Sequence, residues 1–111
     1  MITVKILHVK EPDFLEGTQV FDPAKYEHVA SMNSCIDNKV SEKTELELAE
    51  ICYERSQNFD TPWLQHIDIS PCDNIKSARS TSVGDVFEIN SNYYVCMNIG
   101  FKKLMPVGTR S

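Results

Sequence analysis

The chain has 111 residues, of which 41% are hydrophobic and 24% charged, and a formal net charge of -5. These values are typical of one folded domain that buries a core without metal or disulfide cross-links, and they exclude a disordered chain. Acidic side chains outnumber basic ones, 16 to 11, which argues against direct nucleic-acid binding, because phosphates require a concentrated basic surface.

The N-terminal part, residues 1–43, is expected to contain two strands joined by a loop. Residues 2–9 are rich in β-branched side chains and roughly alternate, and residues 26–32 alternate in the same way. The intervening residues 13–25 contain Gly17 and Pro23, which favour a loop.

A helix is predicted over residues 44–57, where no glycine or proline interrupts several good helix formers. Ser41 or Thr44 can cap it, and Thr44-Glu45-Leu46-Glu47 has the form of a capping box. The helical period gathers the apolar side chains on a broad arc, which we expect to be core: Leu46, Leu48, Ala49, Ile51, Cys52 and Tyr53. It places three acidic side chains together on the opposite face: Glu47, Glu50 and Glu54.

Residues 74–105 are expected to form the C-terminal β-hairpin region. A strand at 85–89, a turn at 90–92 and a return strand at 93–99 make a hairpin, and Gly100 allows a kink or bulge before a short last strand at 101–105. Residues 64–76 predict an irregular or short-strand connection.

The predicted order is therefore β-β-α-β-β-β in a single domain. We expect an α+β fold, a small antiparallel sheet of four to five strands with one α-helix packed on a face. The C-terminal hairpins could instead curl into a partly open barrel.

The cysteines and histidines do not predict a metal or a cofactor. Cys35, Cys52, Cys72 and Cys96 include no CxxC pair and indicate free, mostly buried thiols. His66, Asp68 and Cys72 are a conceivable metal trio, but their spacing matches no zinc motif. The other two histidines, His8 and His28, lie in strand patterns and are expected to be hydrogen-bonded within the sheet.

The stretch Arg79-Ser-Thr-Ser-Val-Gly-Asp85 places three hydroxyls behind a cation. It is a candidate anion-binding turn with four members: Arg79, Ser80, Ser82 and Asp85. A phosphate loop requires several glycines and a following helix, whereas this stretch has one glycine and precedes a strand. We therefore favour a structural turn in which Gly84 supplies a positive φ and the hydroxyls bond nearby backbone. Since no serine has the flanking glycines of a nucleophile elbow, we predict no catalytic residue and no enzyme.

Charge is distributed unevenly along the chain. Residues 42–73 carry eight acidic and two basic side chains, whereas residues 74–111 carry two acidic and five basic ones. Glu47, Glu50, Glu54 and Asp60 are the candidate partner-binding residues, because an acidic helix can dock on a basic protein surface. The alternative is an ordinary solvated helix face.

Trp63, the single tryptophan, is expected to fill a gap between helix and sheet, with an exposed binding anchor as the alternative.

Two stretches resemble YodL-like domains and small uncharacterised proteins of bacteriophages and other mobile elements. They are Arg79-Ser-Thr-Ser-Val-Gly-Asp-Val86 and Tyr93-Tyr-Val-Cys-Met-Asn-Ile-Gly-Phe101, which match the pattern Arg-Ser-x-Ser-Val-x-Asp-Val, an aromatic pair and Gly-Phe. The stretch from Leu48 to Trp63, with Asn58-Phe59-Asp60 and Pro62-Trp63, also looks like the helix and Asn-x-Asp loop of those proteins. The resemblance covers roughly residues 44–105, and the chain departs from it at Cys96-Met97-Asn98, where relatives more often have Val-Asp-Ser.

The resemblance implies an accessory protein of a mobile element and carries over no catalytic residues. We expect a non-enzymatic protein, acting in the host bacterial cytoplasm, that binds and inhibits a host protein such as a nucleic-acid-binding defence complex, in the manner of anti-CRISPR or anti-restriction factors. The alternatives are a small ligand-binding or enzymatic domain that uses the Arg79–Asp85 turn, and a minor virion assembly protein. No membrane contact is expected, because no segment has the roughly 18 apolar residues of a bilayer span and the first residues lack a signal-peptide pattern. Self-association is left open.

Overall fold

The described part of the chain forms a six-stranded antiparallel sheet with one α-helix against it. The computed structural model describes residues 2–10, 25–34, 41–58, 62–65, 67–97 and 99–104. The elements in chain order are β1 (Thr3–Val9), β2 (Tyr26–Asn33), α1 (Glu42–Arg55), a 3-10 turn (Trp63–Gln65), β3 (Ile69–Pro71), β4 (Val86–Ile89), β5 (Asn92–Cys96) and β6 (Phe101–Leu104). The predicted α+β class, an antiparallel sheet with one helix, is confirmed.

The strand order is β3-β2-β1-β4-β5-β6, so β1 is paired on both sides. Ile6 lies opposite Ala30 of β2 and Phe87 of β4. The prediction of four to five strands was wrong, because β3 adds a sixth at the edge beside β2. β3 has three residues, of which only Ile69 is buried, so the segment is too short to show an alternating pattern.

The helix begins two residues earlier than predicted, and Ser41 is its N-cap. The Ser41 hydroxyl accepts a hydrogen bond from the backbone N–H of Thr44 at 3.3 Å, which satisfies one of the free donors of the first turn. At the C-terminus, Arg55 lies in the last turn and pairs with Asp68 in the segment before β3. The helix is therefore tied to the sheet edge as well as packed on its face.

The core lies between α1 and one face of the sheet. Leu48, Ala49 and Cys52 of the helix are buried against side chains of the central strands, including Ile6 and Phe87. Ile51 and Tyr53, which the sequence placed in the core, are 43% and 36% exposed. The sheet covers a narrower arc of the helix than the apolar side chains occupy, so these two remain at the surface.

The opposite face of the sheet also carries buried side chains. Because successive side chains of a strand point to opposite faces, Leu7 and Val9 of β1 and Val86 of β4 lie on this second face. They form a separate apolar cluster with Tyr26 and Leu104.

The C-terminal hairpins follow the predicted order with different turns. Asn90 and Ser91 both have positive φ, 50° and 68°, between the paired residues Ile89 and Asn92, which is the backbone of a tight two-residue hairpin turn. β5 ends at Cys96, three residues before its predicted end, and the chain reverses through Gly100 (φ 71°) into β6. Since Cys96 pairs with the first residue of β6, the last two strands are hairpin neighbours.

Candidate functional site

The predicted anion-binding turn holds an anion of its own, the carboxylate of Asp85. Arg79 donates from Nη1 to Asp85 Oδ2 at 2.6 Å and from Nη2 to Asp85 Oδ1 at 2.8 Å. The backbone N–H groups of Val9 and Ser82 donate to the same two oxygens at 2.9 and 2.8 Å. Asp85 is fully buried, and four donors satisfy its charge. The forked donors of the guanidinium are therefore directed at a residue of the chain itself.

The remaining groups of the turn are also engaged inside the protein. The Ser80 hydroxyl accepts a hydrogen bond from the backbone N–H of Asn58 at 2.7 Å, and Ser82 Oγ lies 3.3 Å from Arg79 Nη1. Asp85 N–H donates to the Ser82 carbonyl, and Gly84 has the positive φ (96°) predicted for it. This arrangement agrees with a structural turn that leads into β4.

Hydrogen bonds from the end of α1 and from the 3-10 turn hold the segment before this turn in place. The Trp63 indole N–H donates to the Arg79 carbonyl at 2.8 Å, and the Asn58 side chain donates to the Ala78 carbonyl at 3.0 Å. Gln57 donates to the Thr81 carbonyl at 2.8 Å. Trp63 is buried, as predicted, and it fills the space between the helix end and the sheet while satisfying its one polar atom.

A buried His-Thr-Asp cluster lies beside the turn. His8 Nε2 is 3.0 Å from Thr81 Oγ1 and 3.9 Å from Asp85 Oδ2, and the His8 ring packs at 5.8 Å from that of Trp63. A catalytic relay requires the hydroxyl and the carboxylate on different ring nitrogens and an open path to substrate. Here both lie at Nε2 and all three side chains are buried. The cluster therefore has the geometry of a packed polar core.

The pKa values of His8 and of the adjacent Arg79 shift in opposite directions. Loss of solvent lowers the pKa of His8, and Arg79 lowers it further, while Asp85 and Glu27 partly compensate. His8 is thus held neutral around neutral pH. The hydrogen bond to Asp85 raises the pKa of the Arg79 guanidinium, so Arg79 stays charged.

A second buried carboxylate, Glu45, is absent from the sequence-based predictions. It lies in the first turn of α1 and accepts hydrogen bonds from Tyr94 Oη at 2.5 Å, from Asn92 Nδ2 at 2.9 Å and from Asn90 Nδ2 at 3.5 Å. Burial, with the hydrogen bond to Glu45 next in importance, raises the pKa of the Tyr94 phenol well above its usual range. Glu45 therefore fixes the helix N-terminus to the β4–β5 hairpin. Because Ser41 is the N-cap and Thr44 lies inside the helix, the predicted capping box Thr44-Glu45-Leu46-Glu47 is not formed.

The predicted partner-binding face of α1 is exposed. Glu47, Glu50 and Glu54 all lie at the surface, and among the described residues none of the three carboxylates has a hydrogen-bond or ion-pair partner. The fourth predicted residue, Asp60, lies outside the described residues.

The structure adds a groove of mixed apolar and acidic lining beside this face, which the sequence did not reveal. The groove has a volume of about 270 Å³, between Glu50, Tyr53 and Glu54 of the helix and the β5–β6 turn. Phe101 lies on its floor, with its ring edge-on to Tyr53 at 6.3 Å and 5.8 Å from the core ring of Phe87. Met97 and Gly100 form the wall opposite the helix. Its two sides come from segments far apart in the sequence, so no local pattern indicates it.

The thiols and histidines give no metal centre within the described ranges, where no three His, Cys, Asp or Glu side chains gather closely enough to hold an ion. Two residues of interest, Cys35 and His66, lie outside those ranges. Cys52, Cys72 and Cys96 are free thiols, and burial raises the pKa of Cys52 and Cys96. These two buried thiols are consequently poor nucleophiles. His8 and His28 are hydrogen-bonded to side chains, as predicted for histidines of the sheet.

No helix in the described part of the chain combines the length and apolarity that a membrane crossing demands. No protein-family model, curated protein or solved structure matches the chain.

Proposed function

We propose that this chain is a non-enzymatic accessory protein of a bacteriophage or mobile element that binds and inhibits a host protein in the bacterial cytoplasm. The contact surface is the acidic face of α1, formed by Glu47, Glu50 and Glu54, together with Asp60. The partner offers a basic surface, as nucleic-acid-binding defence complexes do. The resemblance of residues 44–105 to proteins of mobile elements supports the assignment to a bacteriophage or mobile element.

One observation carries the proposal: three carboxylates on one helix face are exposed and lack a cationic partner among the described residues. The carboxylates that contribute to folding in this chain, Glu45 and Asp85, are buried and hydrogen-bonded. Unpaired like charges on adjacent helical turns repel one another and destabilise the helix slightly. A basic partner surface would relieve that repulsion and accelerate association through long-range attraction.

The competing use of the Arg79–Asp85 turn as an external anion site is less favoured. A phosphate would have to displace Asp85 from Arg79 and leave a fully buried carboxylate with two backbone donors. Breaking a buried ion pair in this way costs about 3–5 kcal/mol, which exceeds what an exposed phosphate contact returns.

The test is affinity capture from bacterial lysate with the folded protein as bait. The triple variant Glu47→Lys, Glu50→Lys, Glu54→Lys should lose the captured protein, because its surface then repels a basic partner. Reversal of two exposed acids away from the helix, Glu27→Lys and Asp73→Lys, raises the net charge by four units against six in the triple variant; it tests the effect of net charge away from the helix and should retain the captured protein.

Retention of the partner by the triple variant would overturn the proposal. Equal loss in the triple variant and in the control would also contradict it, since non-specific attraction to negative charge would then explain the capture. Circular dichroism of each bait shows that the variants are folded.

A further inference from the structure

We infer that the groove between α1 and the β5–β6 turn receives an aliphatic or aromatic side chain from a basic segment of the protein partner. The inference rests on the proposed function and specifies its contact chemistry. It begins from the lining: Tyr53, Met97 and Phe101 supply apolar surface, while Glu50 and Glu54 supply charge at one side.

The size of the groove fits a side chain. Its volume of about 270 Å³ falls below the roughly 300–1,000 Å³ of sites that enclose drug-sized ligands. A cofactor or nucleotide would extend well outside it, whereas one isobutyl, thioether or phenyl group would be covered. The volume therefore favours an anchor side chain over a small-molecule ligand.

The surface around the groove has the composition of an interface. Met97 and Ile99 of the β5–β6 turn are 46% and 94% exposed, and Tyr53 and Ile51 of the helix are also exposed. Protein interfaces place apolar and aromatic side chains at the centre and charged ones at the rim. Anchors that bury an aromatic or aliphatic group in such a centre dominate binding free energy.

Charge complementarity selects a basic segment. The described residues that line the groove include two carboxylates, Glu50 and Glu54, and no cationic side chain. Glu47 extends the negative charge along the same helix face. A partner segment with lysine or arginine next to its apolar anchor would place its positive charges against this rim, whereas an acidic segment would be repelled.

The floor of the groove is rigid enough to select a shape. The Phe101 ring contacts Phe87, which is fully buried between the helix and the central strands. Cys96, also at the base, is buried. By contrast, Gly100 in the wall has open space where a Cβ would lie. Core packing therefore holds the base of the groove in place, and the side at Gly100 is open enough to admit an extended segment.

The test uses fluorescein-labelled synthetic peptides as probes for the purified protein. One peptide has a central phenylalanine with lysines on both sides; two others replace the phenylalanine with serine or the lysines with glutamates. We expect the Lys-Phe-Lys peptide to bind in fluorescence polarisation and to shift the amide resonances of Met97, Ile99 and Gly100. Replacing the phenylalanine should weaken binding roughly ten- to a hundredfold, the range that burial of one apolar side chain provides.

Two variants and two matched controls locate the contact. Met97→Ser and the double variant Glu50→Lys, Glu54→Lys should each weaken the Lys-Phe-Lys peptide at least about fivefold. Ile67→Ser removes a more exposed apolar side chain near β3 at the far edge of the sheet, and Glu27→Lys with Asp73→Lys makes the same charge change as the double glutamate variant elsewhere. Both controls should bind the peptide as the unmodified protein does.

Equal binding of the serine-centred peptide, equal binding of the glutamate-flanked peptide, or resonance shifts confined to another surface would overturn the inference. A dimer in light scattering that the Met97→Ser variant dissociates would also overturn it, since a second copy would then occupy the groove. If no peptide binds while the triple glutamate variant still loses the captured partner, the groove inference is refuted and the proposed function is not. If the triple glutamate variant captures the partner as the unmodified protein does, the proposed function is refuted, regardless of the peptide result.

Discussion

Replacing Asp85 with alanine tests whether the Arg79–Asp85 turn is a structural element. The substitution removes the acceptor of four hydrogen bonds at a site with no solvent exposure. The protein should remain able to fold but should lose a large part of its stability, because two backbone donors and one guanidinium lose their common partner.

The loss of unfolding free energy depends on whether water can replace the Asp85 carboxylate at each donor. The N–H of Val9, a buried residue, loses its acceptor at a cost of about 1–3 kcal/mol, and the N–H of Ser82, an exposed residue, at the lower end of that range. The Arg79 side chain is 42% exposed, so water rehydrates it and its share is small. The expected loss in unfolding free energy is about 3–4 kcal/mol, within the range for breaking a buried pair. For a chain of this size that corresponds to a fall in Tm of roughly 12–18 °C.

Urea denaturation followed by circular dichroism measures the effect. With an m-value of about 1.5 kcal/mol/M, the midpoint should fall by about 2 M. Asp73→Ala, in an exposed turn, is the matched control and should change stability by less than about 0.5 kcal/mol. In a double-mutant cycle, adding Arg79→Ala to Asp85→Ala should cost less than Arg79→Ala alone, because the second residue has already lost its partner. A loss below about 1 kcal/mol in Asp85→Ala would refute the reasoning.

Three further predictions follow from the described contacts. Folding lowers the pKa of His8, so the unfolded chain binds the His8 proton more tightly than the folded protein does. The free energy of unfolding should therefore fall as the pH drops below about 6.5, the usual histidine pKa. His8→Gln should flatten that part of a plot of urea midpoint against pH, and an unchanged plot would contradict the prediction. Tyr94→Phe removes a donor to the buried Glu45 and should cost about 1–3 kcal/mol in urea denaturation, whereas a neutral result would show that Glu45 is satisfied without it. Ser41→Ala removes the helix cap and should cost about 0.5–2 kcal/mol in the same assay; no loss would mean that another group caps α1.

The elements that depend only on residues close together in the sequence were predicted from local sequence patterns. The helix, the β4–β5 hairpin and the exposed acidic face of α1 each depend on residues within a few positions of one another, and each was predicted. β3 was predicted only as an alternative, a short-strand connection within residues 64–76, because its pairing with β2 places Ser70 opposite Ser31, a contact that three residues of sequence cannot reveal. The turn at Gly84 was predicted correctly, since its φ is a property of that residue.

The parts of the site that depend on distant residues could not be predicted. Glu45 is bonded to the β4–β5 hairpin, 45–49 positions away, while Glu47, two residues later, faces solvent. A helical pattern alone cannot separate the roles of two neighbouring glutamates. The same holds for Val9, whose backbone N–H donates to Asp85 across 76 positions. The groove likewise arises where the helix meets the β5–β6 turn, so it has no signature in either segment.

The central claim is that the acidic face of α1 makes the contact with a protein partner. The most direct measurement is the dissociation constant of the captured partner for the unmodified protein and for the Glu47→Lys, Glu50→Lys, Glu54→Lys variant, with the urea midpoint of each determined alongside. The account predicts at least a hundredfold weaker binding with little change in stability, because these side chains have no partner among the described residues. Unchanged affinity in a variant of unchanged stability would contradict it.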